Sequence, residues 1–416
     1  MVTLSDKLKS MGVKIGAQDI QPLRKRPHYP IEEVLEGHFI ETPYGPSFRV
    51  VTFYPNSHIH GNGTLYFIQP SAVISNWIKE PSLHEIEPTN FVFLDTETSG
   101  LAGGTGTYVF LVGIGRYEED GFRLIQHFMR DPIEEPAHLA SLLTLLDGCQ
   151  SLVTFNGKAF DVPLLQTRFI SNGESFPFQS TIHLDLLPLA RRLWKDRLPS
   201  RALGYLEEQI LEVARTQDDV PGWLIPNLYF DYLRTGDARP LKNVFYHNAM
   251  DILSMAALLI HISRLLEDPR IETVGHALDL FSIGKLFEDI GNFDVAAHCY
   301  EDGLACEIPD LARSEVLQRW SMMEKRRQNL EAAIQIWQEA ANRQEIFAYI
   351  ELAKIFEHRV KDYSQALTFT ATAIEIVRSS TLPLYERSRL IAELDHRLAR
   401  LQRKQHGGEI YRPGLS

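Results

Sequence analysis

The sequence contains little cysteine, and its cysteines form no close pair. In 416 residues it has only Cys149, Cys299 and Cys306, an odd number without a Cys-x-x-Cys spacing. This excludes a disulfide-stapled secreted fold and a cysteine-rich zinc site. We therefore expect reduced thiols in a cytoplasmic protein.

Long apolar runs are also lacking. The first residues, MVTLSDKLKSMGVKIG, do not form the continuous apolar stretch of a signal peptide. No run approaches the length that a bilayer requires, so we predict no membrane association. The formal net charge of −12 excludes a protein covered in basic surface. A nucleic-acid enzyme nevertheless needs only a local basic track.

A phosphate-binding loop is the third feature that the chain lacks. The glycine-rich stretch GLAGGTGT, at 100–107, is not closed by a Lys followed by Ser or Thr, and no GxGxxG is present. A nucleoside triphosphate site is therefore not expected. Flexible glycines could instead let the backbone approach the end of a nucleic acid closely.

Short strands and helices alternate in the first two thirds of the chain. The stretch FVFLDTETSG, at 91–100, predicts a buried strand, and TYVFLVGIGRY with GFRLIQHFMR predicts a hairpin. Helix, strand, helix, strand and helix follow, so we predict an α/β sheet of mixed direction with flanking helices. FRVVTFYP and GTLYFI predict a small hairpin before this sheet. His58 and His60 fit a turn better than a metal site, since no third ligand is near.

We divide the chain into five segments. These are a basic arm over 1–40, a small β-rich lead-in over 41–90, the α/β domain over 91–268, an all-α region over 270–402 and a flexible tail over 403–416. In the all-α region GNFDVAAHCYEDGL, QNLEAAIQIWQEAA and KDYSQALTFTATAI can be aligned. Ala297 and Ala333 are 36 residues apart and Ala332 and Ala366 are 34 apart, which resembles tetratricopeptide repeats. The alternative is a helical buttress without a binding role.

Two carboxylates, Asp95 and Glu97, end the strand that starts at 91. Residues at i and i+2 of an extended chain project to the same side. Unpaired, the two would repel each other, and a divalent cation would remove that repulsion. The alternative is a strand end with two solvated acids.

Two further acids follow in contexts that bring them to the same place. Asp161 comes just after a predicted strand and Asp251 lies on a predicted helix, so both can converge on the first pair. Four such ligands suit two Mg²⁺ or Mn²⁺ ions held about 4 Å apart, the arrangement used for phosphodiester hydrolysis. His247 shares a helix face with Asp251 and could take a proton from the attacking water.

Three motifs, FLDTETSG, FNGKAFDVPLL and HNAMD, resemble the exonuclease motifs of the DEDD superfamily, which has a ribonuclease H-like fold. The resemblance covers about 91–266. It implies a set of metal ligands, a general base and residues that touch the terminal nucleotide. The implied ligands are Asp95, Glu97, Asp161 and Asp251, the base is His247, and the nucleotide contacts are Ser99, Gly100, Leu101 and Asn156.

The spacing of the last motif departs from the histidine branch of that superfamily. Four residues usually separate the histidine from the aspartate, whereas three separate His247 from Asp251 here. Tyr246 occupies the longer spacing. We prefer His247, because a histidine ordinarily titrates near neutrality, which suits a base, and a tyrosine does not. Hydroxide supplied by the metal is a third option.

A basic segment follows another acid, Asp185, which we interpret as a helix cap or a supporting residue. Arg192, Trp194 and Arg201 belong to this segment, which combines several cations with an aromatic ring. Such a run can track phosphates and stack a base. The alternative is an amphipathic helix with a solvated basic face.

Over most of its length the chain resembles the bacterial YprB/MrfB family, on the loop TSGLAGGTGTYVFLVGIG and the repeats that follow. The resemblance implies a metal-dependent DNA exonuclease of repair that works with a DEAD/DEAH-type helicase on damage such as mitomycin adducts. Two alternatives stay open. One is an RNA exonuclease, and the other is a scaffold that holds nucleic-acid ends while its repeats bind a protein partner.

Overall fold

The structure is a computed structural model that describes residues 29–100 and 106–409. It divides into two compact units that interleave along the chain. The first unit comprises the chain up to Phe67, Glu85–Leu186 and Leu203–Ile260. The second comprises Ile68–His84, Leu187–Ala202 and the chain from His261 onward. The predicted contiguous segments did not anticipate this interleaving.

A mixed seven-stranded sheet forms the centre of the first unit, with the strand order β1-β2-β7-β6-β5-β8-β9. The strands are β1 (Gly37–Thr42), β2 (Gly45–Pro55), β3 (Ile59–His60), β4 (Gly63–Thr64), β5 (Phe91–Thr98), β6 (Val109–Glu118), β7 (Gly121–Phe128), β8 (Ser151–Thr154) and β9 (Ile182–Asp185). Strand β5 pairs antiparallel with β6 and parallel with β8. The prediction of an α/β sheet of mixed direction is therefore confirmed.

The early hairpin is one place where the prediction was wrong. FRVVTFYP lies in β2, which pairs not with GTLYFI but with β1 and, along eight residues, with β7, so it belongs to the main sheet. Of GTLYFI only Gly63–Thr64 forms a strand, β4. Strands β3 and β4 form a separate two-stranded ribbon that includes His60. The His60 Nε2 atom lies 2.8 Å from the Ser254 hydroxyl oxygen.

Helices account for most of the remaining chain. They are α1 (Ile31–Val34), α2 (Ala72–Ile78), α3 (Glu135–Leu146), α4 (Asp161–Ser171), α5 (Leu186–Trp194), α6 (Leu203–Leu206), α7 (Ile225–Thr235), α8 (Leu241–Glu267), α9 (Ile271–Val274), α10 (Ala277–Asp289), α11 (Phe293–Leu304), α12 (Asp310–Arg326), α13 (Leu330–Asn342), α14 (Ile346–Ile355), α15 (Tyr363–Ser379) and α16 (Leu384–Glu409). Single π-helical turns follow α6 at Glu207–Leu211 and α14 at Phe356–Val360. Helix α16 continues past 403, where a flexible tail was predicted.

Apolar side chains pack against helices on both faces of the main sheet. On one face, Val92 and Leu94 of β5 join a core cluster with residues of α3 and α4. On the other, Phe110 of β6 stacks on Tyr229 of α7, with ring centroids 4.0 Å apart. Because side chains alternate along a strand, Asp95 projects to the face opposite Leu94.

The long helix α8 corrects the prediction about apolar runs. By length and composition alone it could cross a membrane, with a mean hydropathy of 1.6 over its most apolar window. However, 72% of that window is buried inside the protein. The burial is that of a core helix in a folded domain.

Between α9 and Glu409, the described part of the second unit consists of helices joined by short connections. The three aligned segments form α11, α13 and α15, each of which packs on the helix before it. Ala296, Ala333 and Ala366 are fully buried at similar places in these helices, so the first buried alanine is Ala296 and not Ala297. The pairs fit the predicted repeat pattern, and their assignment as tetratricopeptide repeats stays a prediction.

A buried acid joins two helices of this unit. The side chain of Glu357 has no exposed surface, and it accepts hydrogen bonds from Arg397, Arg400 and Lys404 of α16 at 2.8–2.9 Å. Burial alone would raise the pKa of Glu357, but the hydrogen bonds from Arg400 and Lys404 lower it to about 2. The carboxylate therefore stays charged and connects α16 to the π-helical turn at Phe356–Val360.

Candidate active site

Strand β5 places Asp95 and Glu97 at its carboxyl end. Asp95 lies opposite Gly113 of β6, and Glu97 lies opposite Leu111 just before the register shifts. The two acids project to the same face, as predicted, and Glu97 is 9% exposed. Two carboxylates are thus held together in a poorly solvated place.

Asn248 of α8 fixes the carboxylate of Asp95. Its Nδ2 donates to Asp95 Oδ2 at 2.8 Å, and its Oδ1 accepts from Gln126 Nε2 at 2.9 Å. A Cβ on Gly113 would lie 2.3 Å from Asn248 Oδ1, so only glycine leaves room for this contact. Asn248 was not predicted from the sequence, although it lies inside the HNAMD motif.

Asp161 begins α4, directly after the turn that follows β8. Its Oδ1 accepts a hydrogen bond of 2.5 Å from the Thr96 hydroxyl, which lies between the two acids of β5. Asp185 supports the same turn by accepting from the backbone N–H groups of Asn156 and Lys158 at 2.7 and 3.1 Å. These bonds agree with the supporting role predicted for Asp185.

The four predicted acids form one electrostatic cluster. Burial, followed by repulsion from Asp251 and Asp161, raises the pKa of Asp95 well above its usual value. Burial and repulsion from the other three acids do the same to the pKa of Glu97. Burial raises the pKa of Asp161 to about 6, although the Thr96 hydrogen bond opposes the change. Without a compensating cation, this cluster is electrostatically unfavourable.

His247 lies one turn before Asp251 on α8. Its Nδ1 is 2.8 Å from Asp219 Oδ1, and its Nε2 is 3.7 Å from Asp251 Oδ2. In the neutral tautomer in which Nδ1–H donates a hydrogen bond to Asp219, Nε2 carries no hydrogen and can accept a proton beside Asp251. The Tyr246 hydroxyl instead accepts from the backbone N–H of Thr216 at 3.0 Å.

Arg215 is a second residue of the site that was not predicted from the sequence. Its guanidinium makes a bidentate pair with Glu207, with both N–O distances at 2.6 Å, and it also donates to Asp251. Its Nη1 lies 3.3 Å from Asp219 Oδ1 and 3.1 Å from His247 Nδ1. These side chains line a cavity of about 630 Å³. The position of Arg215 in a loop outside every motif gave no signal for its role.

Three of the four residues predicted to touch the terminal nucleotide lie within the described part of the chain. Ser99 is 8% exposed, and its hydroxyl accepts from the backbone N–H of Tyr108 at 2.9 Å. The carbonyl oxygen of Gly100 accepts from the Thr98 hydroxyl at 2.8 Å. Asn156 adopts a left-handed conformation with φ of 67°. Leu101 lies outside the described residues.

The basic segment belongs to the second unit, whereas the four acids belong to the first. The prediction that Trp194 stacks a base is wrong, because its side chain is buried at 1% exposure. Arg192 pairs with Asp289, and Arg201 donates to the carbonyl oxygen of Leu198 at 2.8 Å. A phosphate-binding role for these two arginines stays a prediction.

The chemistry of the four acids fits divalent metals. All of their ligand atoms are the hard oxygens that Mg²⁺ and Mn²⁺ prefer, and the guanidinium of Arg215 already stands as a cation against Asp251. Within 29–100 and 106–405, however, no three acidic, histidine or cysteine side chains are placed to ligate one ion as they stand. Asp161 and Asp251 are engaged with Thr96 and Arg215 instead.

A mixed sheet with this strand order, and a cluster of acids at the carboxyl end of β5, defines a ribonuclease H-like nuclease fold. The RNase_H superfamily profile RNase_H_2 matches residues 92–263. Nucleases of this fold act on nucleic acids and generally use divalent metals.

The chain belongs to the family of YprB, a protein of Bacillus subtilis (strain 168). The two are 35% identical over 364 residues, which is 84% of each chain. The PolC-type DNA polymerase III of Mycoplasma pneumoniae is 28% identical over 113 residues, covering 22% of this chain and 8% of the polymerase. The family B DNA polymerase of Pyrobaculum calidifontis covers 62% of this chain at 13% identity and a TM-score of 0.32.

Proposed function

We propose that this protein is a metal-dependent 3′-to-5′ DNA exonuclease of the DEDD type that acts in DNA repair. The observation that carries the proposal is the convergence of Asp95, Glu97, Asp161 and Asp251 with a histidine beside the last of them. The four acids would hold two divalent ions. When bound, these ions supply Lewis-acid activation and neutralise charge in phosphoryl displacement.

The side chains of this site suit hydrolysis of a terminal phosphodiester. His247 Nε2 takes one proton from water, whose oxygen forms the new bond to phosphorus. The bond to the 3′ oxygen of the preceding nucleotide breaks, that oxygen receives a proton, and a nucleoside 5′-monophosphate leaves. Asp219 holds the imidazole by its other nitrogen, and Asn248 keeps Asp95 oriented. These contacts favour His247 over Tyr246 as the base.

The helices from α10 onward would form the predicted repeats and bind a protein partner, for which a DEAD/DEAH-type helicase is the candidate. A cytoplasmic location is part of the same proposal. Binding of a purified helicase to the full chain, compared with a variant altered on the exposed faces of these helices, would test the partner. Loss of nuclease activity in that variant would contradict the division of roles.

The nuclease proposal is tested with the full chain on DNA and RNA, single-stranded and duplex, labelled at either end. Reactions contain Mg²⁺, Mn²⁺ or EDTA, and the variants are Asp95→Ala, Asp251→Ala and the control Asp120→Ala. Asp120 lies exposed in the turn between β6 and β7, so its loss should leave activity unchanged. Both site variants should abolish metal-dependent shortening, because each removes a ligand of the proposed ions.

The pattern of products separates the alternatives. Shortening from the 3′ end of DNA supports the proposal. Faster shortening of RNA than of DNA would instead favour the RNA exonuclease. Nucleic-acid binding without cleavage under any metal would favour the scaffold. Equal activity in wild type and Asp95→Ala would contradict the four-carboxylate site.

A further inference from the structure

Arg215 is the most heavily engaged cation of the candidate site. Its side chain is 14% exposed, and the Glu207 carboxylate that it grips is 1% exposed. Both N–O distances of this bidentate pair are 2.6 Å. Such a planar pair between buried groups fixes the position of the guanidinium.

From this fixed position Arg215 also contacts the carboxylate of Asp251. Its Nη2, which bonds Glu207, donates to Asp251 Oδ1 as well. The other oxygen of Asp251 lies 3.7 Å from His247 Nε2. One of the two Asp251 oxygens that could bind a metal is therefore already engaged by a cation that does not lose its charge.

We propose that Arg215 competes with a divalent ion for Asp251, and that metal binding displaces the guanidinium from this carboxylate while its pair with Glu207 stays intact. The inference rests on the proposed function and concerns how Arg215 regulates metal binding at the same site. A divalent ion attracts a carboxylate about twice as strongly as a guanidinium at equal distance, so it can win this competition. The displaced group keeps its bonds to Glu207, which limits the movement required.

This competition predicts a site that loads metal weakly in the absence of nucleic acid. Oxygens of a bound phosphodiester would add ligands to the ions and shift the balance away from Arg215. Removing the guanidinium should therefore raise the affinity for metal alone. It should do so without any substrate present, which makes the test independent of catalysis.

The experiment measures Mn²⁺ binding to the full chain without nucleic acid, from the electron paramagnetic resonance signal of free Mn²⁺. Arg215→Gln should bind the Asp251-dependent ion about tenfold more tightly than wild type, because the competing charge is gone. Asp251→Asn identifies that ion by removing it.

Arg123→Gln is the matched control. Arg123 also forms a bidentate pair with a glutamate, Glu118, but it lies at the opposite end of the sheet from Glu97. The control loses the same charge and should keep the wild-type affinity. A similar gain in this variant would overturn the proposal, since net charge alone would explain it.

A second variant guards against misfolding, because Arg215→Gln leaves the buried Glu207 without its partner. In the double variant Glu207→Gln/Arg215→Gln both charges are absent, so no carboxylate at position 207 can serve as a new metal ligand. This variant should show the same gain in affinity. Unchanged or weaker Mn²⁺ binding in both folded variants would overturn the proposal.

The outcomes also separate this inference from the proposed function. If wild type binds Mn²⁺ and cleaves nucleic acid but the arginine variants bind it no more tightly, only the role of Arg215 fails. If wild type and variants bind no Mn²⁺ at all, the metal-dependent nuclease and the competition both fail.

Discussion

Asp161→Asn should stabilise the metal-free protein, although it removes a proposed catalytic ligand. Asp161 is partly buried beside other acids, and its pKa is raised from 3.8 to about 6. Ionisation of this group therefore opposes folding when no metal is present. Asparagine keeps an oxygen that can accept the hydrogen bond from Thr96 and carries no charge.

The size of the effect follows from the two pKa values. A difference of about two pH units at about 1.4 kcal/mol each gives about 3 kcal/mol. Below the unfolded pKa of 3.8 the group is protonated in both states and costs no stability. The cost grows as the pH rises from 3.8 towards about 6 and is complete above it. The variant should thus be about 3 kcal/mol more stable at pH 8 and equal to wild type near pH 4.

Thermal unfolding of the full chain in EDTA, from pH 4 to pH 8, measures this difference. At about 2–4 °C per kcal/mol, the transition of the first unit should rise by about 6 °C or more at pH 8. Asp185→Asn is the control with the opposite sign, because Asp185 accepts two backbone hydrogen bonds. Added Mn²⁺ should stabilise wild type more than Asp161→Asn. A gain that is absent at pH 8, or equal at pH 4 and pH 8, would refute the reasoning.

Two further substitutions test other contacts. Gly113→Ala forces a Cβ onto Asn248 and should lower kcat/KM on end-labelled DNA at least about tenfold by releasing Asp95. The control Gly115→Ala crowds other side chains and should lower stability without that loss of activity. Equal losses of activity in both variants would contradict the role of Asn248. Glu357→Gln leaves three cations facing an uncharged group and should cost about 3 kcal/mol. Because the folded pKa of Glu357 is about 2, below the usual 4.5, the deficit should be full above pH 4.5 and shrink towards pH 2. A thermal shift that does not vary over this range would argue against the charged pair.

The central part of the fold could be predicted because its signals are local. Apolar strands, a charged hairpin turn and helices between later strands specify the mixed sheet, and the spacing of Asp95 and Glu97 fixes their common face. The position of the β1–β2 hairpin could not be predicted, because its pairing with β7 joins residues far apart in sequence. Local patterns say nothing of such a partner.

Trp194 shows a signal that was present but misinterpreted. Leu186, Leu189, Ala190 and Leu193 recur at helical spacing with Trp194, and all are buried. The apolar stripe of this helix indicated burial more strongly than the cations indicated nucleic-acid binding. Arg215 is the opposite case, since its partners Glu207 and Asp251 come from different elements and no local pattern marks it.

The interleaving of the two units has a consequence for how this architecture can be inherited. The chain passes between them five times, and the last passage, between Ile260 and His261, falls inside α8. Neither unit corresponds to one continuous stretch of codons. Recombination that moves a single segment of a gene could therefore not transplant the nuclease unit alone, so duplication, fusion or loss would act on both units together.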